Sequence, residues 1–461
     1  MTTKTSAPPL SGRVSMREKL SYAAGDIGSN LVFAPATSFV LFYFTDIAGI
    51  GAAIAGTAIL LGQLLNGVVD LVVGVLIDKT KTRWGKTRPW ILWSALPLMM
   101  CFVLMFSVPS GLDDTGKVVW AFVTYALVMA VFFTASNVAY SALLSVMTPD
   151  STTRVTLTTF RFFAAIATTL AVSYATFPLV GALGGGQQGW TTTASIYAVL
   201  GLGALLTVFF GTRERLRPTD EFSSTRRPVK ELLGFLFRNR YFWLAAALFV
   251  GFYLFNGMNQ AAGVYFAADI LGDPAAFGTL SLAALAPLLI GIVFMPALVG
   301  RFGKRRMFLA GIAIQIAGSI VVAIAPENLG VVLAGLLIRG VGGIPFSAAL
   351  FAIVADVVDF GEWKFGVRID GLTYSAVVFG QKIGAGLGAA GTGWILAFGA
   401  YDADLREQPA SAISAIEFAY IYAPIALLAL TAVAIWFLDV EKHGLAIRQF
   451  LQSRNAAAPS S

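Results

Sequence analysis

The chain has 461 residues, of which 57% are hydrophobic and only 12% charged, and its net charge is +7. Soluble domains run roughly 45–50% apolar and about 25% charged, so this composition excludes a water-soluble main body. One cysteine, Cys101, and one histidine, His443, exclude an intrachain disulfide and leave no basis for a His/Cys metal site or a Cys–His nucleophile pair.

Residues 1–19 are polar, basic and rich in Pro and Ser, with no short apolar core and cleavage site, and they read as a cytoplasmic tail rather than a signal peptide. Apolar runs of roughly 20 residues then recur, each long enough for a hydrocarbon core of about 30 Å. Lipid leaves backbone polar groups only two solutions, helices or closed barrels. The runs are long and apolar on all faces, which predicts helices. The predicted spans lie near 20–46, 52–78, 90–109, 118–147, 155–182 and 192–212, then near 241–269, 275–299, 307–325, 329–356, 370–400 and 415–438.

Basic residues sort to one set of loops. Lys79, Lys81, Arg83, Lys86, Arg88, Arg154, the segment 213–240, Arg301, Lys304, Arg305 and Arg306 share one side. Asp46, Asp113, Asp114, Asp269, Asp273, Asp402 and Asp404 take the other, with Lys117 and Arg406. The positive-inside rule therefore predicts both termini in the cytoplasm and an even number of spans, twelve. It also explains the net charge without a nucleic-acid partner.

The charged stretch 213–240, with a short amphipathic helix expected at 229–237, splits the chain into two six-helix bundles at 20–212 and 241–438, followed by a tail at 439–461. The halves share a faint repeat. Trp84-Gly85-Lys86-Thr87-Arg88 follows the second span and Phe302-Gly303-Lys304-Arg305-Arg306 follows the eighth. Parallel six-helix repeats of this kind point to an all-α polytopic membrane protein of the major facilitator fold.

Ionisable groups at membrane depth are costly and mark candidate sites. The first span carries Asp26 and Asn30. The second carries Gln63, Asn66 and Asp70 on one helical face. The fourth has Thr134, Asn137, Tyr140 and Ser141, and the fifth has Arg161. The seventh has Tyr253, Asn256 and Gln260, and the eleventh Tyr374, Gln381 and Lys382. Such stripes suit a water-accessible central cavity, while lone amides such as Asn256 serve equally well as interhelical hydrogen-bond glue. The acidic run Asp356 to Glu362 lies at the cytoplasmic boundary and reads as a latch for the basic loops. Arg161, Arg339 and Lys382 outnumber Asp26 and Asp70, a slight cationic excess unless Arg339 bonds backbone carbonyls where Gly340, Gly342 and Gly343 loosen its helix.

Several blocks resemble the glycoside–pentoside–hexuronide:cation symporters, the family typified by melibiose permease. They are residues 20–30 (LSYAAGDIGSN), Phe42-Tyr43-Phe44-Thr45-Asp46, Asn66…Asp70…Gly74 with Arg83-Trp84-Gly85-Lys86-Thr87-Arg88-Pro89-Trp90, Arg161-Phe162-Phe163-Ala164, residues 355–362 (ADVVDFGE), and Tyr374-Ser375 with Lys382. They run across nearly the whole chain in the family's order. The resemblance implies that Asp70, Lys382 and Thr134 occupy coupling-ion positions. Asn66 stands where the sodium-using permease has a second carboxylate. Asn30 and Asn137 stand where it has its two sugar-binding aspartates, and Tyr140 and Arg161 match neighbouring sugar-site positions. One carboxylate in place of two favours proton over sodium coupling.

The expected activity is inward symport of a sugar or glycoside with a cation, across the cell membrane, without a cofactor. Asp26, Asn256, Gln260, Tyr374 and Gln381 join the expected substrate site. An acidic sugar or amphipathic lipid as cargo stays open. A membrane-embedded enzyme has little support, since no HExxH or GxSxG constellation is present.

Overall fold

The computed structural model describes residues 14–215, 229–291, 294–405, 407–443, 446–447 and 449–450. The expected N-terminal tail over 1–13, the loop segment 216–228, Arg406 and the tail from 451 onward lie outside the described residues. Among those described, every regular element is a helix.

The first half contains α1 (Met16–Ser38, continued by Val40–Ile47), α2 (Ala52–Lys79), α3 (Arg88–Met105), α4 (Asp114–Met147), α5 (Ser151–Ala182) and α6 (Gly186–Gly211). A surface helix, α7 (Val229–Arg238), follows. The second half contains α8 (Arg240–Ile270), α9 (Ala276–Gly291), α10 (Met295–Phe302), α11 (Lys304–Ile324), α12 (Leu329–Phe365), α13 (Asp370–Phe398) and α14 (Ala410–Trp436). Nine of these are long and apolar enough to span a membrane, and α1 is a tenth when its two pieces, bent by 53°, count as one span. The remaining expected spans are α9 with α10, and the glycine-rich α13, so the architecture is consistent with twelve crossings.

Local chemistry explains most departures from the expected ends. The bend of α1 comes one turn after Pro35, which has no N–H to give the preceding turn. Helix α5 starts earlier than expected because the Asp150 side chain caps it, accepting from Thr153 N at 2.8 Å. Helix α12 runs on past residue 356 to Phe365, where Gly366 at φ +67° ends it in a left-handed turn. The acidic run is therefore helical. It holds Lys304 through Asp356 (2.6 Å) and Arg368 through Asp359 and Glu362 (2.9 and 2.8 Å), so the expected latch forms.

The matching basic loop of the first half is held differently. Glu214 accepts from the backbone N–H of Lys86, Thr87 and Arg88 at 2.8–3.0 Å and from the Thr87 hydroxyl at 2.7 Å. A carboxylate at the N-terminus of α3 meets the helix dipole with the favourable sign. Gly85 (φ +103°) and Gly303 (φ +79°) occupy the same left-handed position in the two repeats.

Contacts between the halves gather at the acidic-loop end. There α2 and α13 run antiparallel with backbones nearly touching, and a Cβ on Gly56 would stand 3.0 Å from Ala390 Cα. Thr45 hydrogen-bonds Tyr265 at 2.6 Å, and Tyr401 donates to Asp46 at 2.6 Å. Nearer the basic-loop end of the same two helices, Gly74 and Gly371 have open space where a Cβ would sit. The halves are joined at the acidic-loop end.

Candidate functional site

The centre of the α2–α13 seam holds the first polar cluster. Lys382 on α13 forms an ion pair with Asp70 on α2 and donates to Asn66 Oδ1 at 2.6 Å. Thr134 on α4 reaches the same Asn66 oxygen at 2.7 Å. It also lies 3.2 Å from the Met129 carbonyl, which belongs to a π-helical stretch, Leu127–Phe133, just before it. With a single proton to give, the Thr134 hydroxyl donates to one of these two oxygens at a time, and its shorter contact is to Asn66. Behind them Asn66 donates to Gln63 (3.3 Å) and Gln63 to Tyr125 (2.9 Å). All four residues assigned to cation coupling from the sequence thus meet at one point. Asp70 and Lys382 retain side-chain exposures of 24% and 17%, so the pair is partly accessible.

A second cluster lies wholly within the first half. Arg161 on α5 grips Asp26 on α1 through Nε (2.7 Å) and Nη2 (3.4 Å). Tyr140 on α4 donates to Asp26 Oδ2 at 2.7 Å, and its ring sits under the guanidinium, 4.3 Å from the ring centre. Arg161 Nη1 donates to Tyr22 OH at 3.2 Å. The carboxylate therefore accepts from three donors, and the guanidinium charge is answered inside the protein. Asn30 lends its amide to the Asp26 carbonyl (2.8 Å) and lies 3.4 Å from Thr169 Oγ1. Asn137, one turn before Ser141 on α4, is half-buried.

Asn256 and Gln260 fall elsewhere. They line a cavity of about 160 Å³ in the second half, between α8, α9, α11, α12 and α14, which Thr169 and Ser173 of α5 close from the first half. Arg339 opens into this cavity and is 6% exposed. Its Nη2 donates to Asn259 Oδ1, and its guanidinium lies 5.3 and 5.4 Å from the Phe255 and Tyr420 ring centres. Backbone carbonyls do not hold it as the glycines nearby suggested, because α12 continues unbroken through 340–343 and the Gly342 carbonyl goes to Gln315. Gln381 sits beside Lys382 on α13. Tyr374 is two turns nearer the basic-loop end, where its charged neighbours are Asp370, Asp359 and Arg368.

Sequence reasoning passed over the seal at the acidic-loop end. Residues 43–47 and 266–270 are both π-helical, each ending in Asp-Ile, and each is followed by a left-handed glycine two residues on, Gly49 (φ +72°) and Gly272 (φ +69°). The spacing Asp-Ile-x-Gly at 46–49 and 269–272 was the available signal. Asp46, Thr45, Tyr265 and Tyr401 knit the halves there, and Asp269 lies close by.

Residues 21–442 match the family described as MFS/sugar transport protein. The chain belongs to that family. It is 36% identical to the isoprimeverose transporter of Lactiplantibacillus pentosus over 439 residues, 93% of this chain and 90% of the relative. It is 30% identical to the inner membrane symporter YicJ of Escherichia coli, covering 87% of each, and 29% identical to that organism's glucuronide carrier protein homolog, covering 92% and 93%. Among solved structures it resembles a D-xylose-proton symporter (TM-score 0.66, 13% identity, 92% of this chain and 98% of that one). It also resembles the nucleoside transporter NupG carrying D323A (TM-score 0.67, 13% identity, 91% and 99%). Those two likenesses establish the fold. As a member of this family the chain is a multi-pass membrane transporter of the major facilitator type.

Proposed function

We propose that this family member carries a sugar or glycoside into the cell together with a proton, in the cytoplasmic membrane and with both termini inside. The two six-helix halves rock about the α2–α13 seam. The observation that carries the reading is the Asp70–Lys382 ion pair, which ties one half to the other at the middle of the seam. Protonating Asp70 removes one partner of that tie and leaves Lys382 on Asn66 Oδ1. The ion's arrival thereby changes the energy of the contact on which rocking depends, as coupling between two ligands requires.

A proton suits this centre better than sodium. A sodium ion needs several hard oxygens, but Asp70 is the one carboxylate there, and the Asn66 oxygen already accepts from Lys382 and Thr134. Names among the relatives support a sugar or glycoside, with isoprimeverose the natural first cargo to try. Asn30, Asn137, Gln381 and the rim of the Asp26–Tyr140–Arg161 cluster would meet its hydroxyls.

The test is uptake of labelled isoprimeverose into proteoliposomes. An inward proton gradient should drive accumulation in the wild type, a sodium gradient at fixed pH should not, and Asp70→Asn should only equilibrate. Sodium-driven accumulation defeats the proton assignment. Wild-type accumulation by Asp70→Asn defeats the coupling role of Asp70.

A further inference from the structure

The cations near the middle of the spanning helices are answered unevenly. Asp26 takes Arg161 and Asp70 takes Lys382. Arg339 is left with a neutral amide oxygen, and its Nη1 is buried with no hydrogen-bond partner. None of the residues lining its cavity is acidic. A buried guanidinium in this state is expensive unless something anionic arrives. The apolar rings of Phe255 and Tyr420 flank it and offer only the faces of their π-systems.

We propose that Arg339 forms an oxyanion subsite in the second-half cavity, one that takes the carboxylate of a small polyhydroxylated ligand. Nη1 is the unpaired donor of a planar group whose fork suits a carboxylate. Asn259 cannot supply the missing charge. Its Oδ1 is held by Arg339, and its Nδ2 is committed to the Phe255 carbonyl at 2.7 Å. Asn256 spends its Nδ2 on the Phe252 carbonyl at 2.9 Å, which turns its Oδ1 toward the role of accepting from ligand hydroxyls. Thr169 and Ser173 add hydroxyls from the opposite half. A cavity of about 160 Å³ is far above the roughly 10–15 Å³ that one water needs, so it has room for a small ring-sized ligand. The cavity adjoins the Asp26 cluster through Thr169, which touches Asn30, but neither Asp26 nor Arg161 lines it, and only the expected class of ligand rests on the transporter reading.

The experiment is equilibrium binding to the purified full-length protein in detergent, with D-glucuronate, D-glucose and acetate as probes. The wild type should bind glucuronate about tenfold or more tighter than glucose. Arg339→Gln should bring the two within about twofold of each other, and Arg339→Lys should fall between. Because Arg339→Gln removes a large buried side chain, Asn259→Asp provides an independent arm. It gives Arg339 an internal carboxylate, so it should lower glucuronate binding to the Arg339→Gln level while raising the melting temperature. Acetate binding as tight as glucuronate assigns the site to free small anions, and weaker acetate binding assigns it to an anion carried on the sugar. Equal binding of glucuronate and glucose by the wild type with no acetate binding, or a glucuronate preference that survives in Arg339→Gln or Asn259→Asp, overturns the proposal. These measurements use no membrane or gradient, so their outcome is independent of whether proton-coupled uptake is observed.

Discussion

Changing Asp70 and Lys382 singly and together separates what their pairing does for stability from what it does for transport. Asp70→Asn leaves an ammonium ion inside the seam with one strong acceptor, Asn66 Oδ1. Breaking a fully buried pair this way costs ~3–5 kcal/mol. Here the side chains are 24% and 17% exposed, so solvent screening reduces the expectation to about 2–3 kcal/mol for either Asp70→Asn or Lys382→Gln. The double variant removes both charges and keeps hydrogen-bonding amides of similar shape, and should lose only about 1–2 kcal/mol. Thermal unfolding followed by the fraction of monodisperse protein should then place the double variant above both single variants. It should still fail to concentrate sugar, because no carboxylate remains to carry the ion. A double variant whose loss equals the sum of the single losses would mean that the two side chains share no interaction energy, and coupling through this pair would be refuted with it.

Two further outcomes follow from contacts at the ends of the molecule. Glu214→Ala exposes three backbone N–H groups and a hydroxyl at the start of α3, and should destabilise the protein by about 2–3 kcal/mol, with Glu214→Gln recovering part of that; an unchanged melting temperature in both would show that the loop is held by something else. Tyr401→Phe removes the hydroxyl bonded to Asp46 across the seal, so a cysteine placed at Ala52 should react about tenfold faster with a membrane-impermeant thiol reagent added from the acidic-loop side. Unchanged labelling would remove Tyr401 from the seal.

The sequence made the frame legible because lipid imposes a simple rule on long stretches. Spans, the sorting of Lys and Arg, and the shared face of Asn66 and Asp70 are short-range properties of one helix. The partners of those residues are not. Whether Arg161 faces ligand or Asp26 depends on how α5 packs on α1, 135 positions away in the chain. Arg339 looked like one of several excess cations, and only the packing of α8 against α12 shows that its neighbour is Asn259 and not an acid. The seal was missed for a related reason. Asp46 and Asp269 read as ordinary acidic loop residues, whereas the π turns draw them back among Thr45, Tyr265 and Tyr401.

The pairing of Asp70 with Lys382 also has an electrical side. On the proposed coupling role, this pair of one negative and one positive group carries no net charge when empty. A cation that joins it gives the loaded centre a full positive charge, while the centre that swings back empty carries none. Voltage therefore acts on only one half of the cycle. A cell interior held at −100 mV adds up to ~2.3 kcal/mol per charge carried fully across, and that pull persists when the pH is the same on both sides.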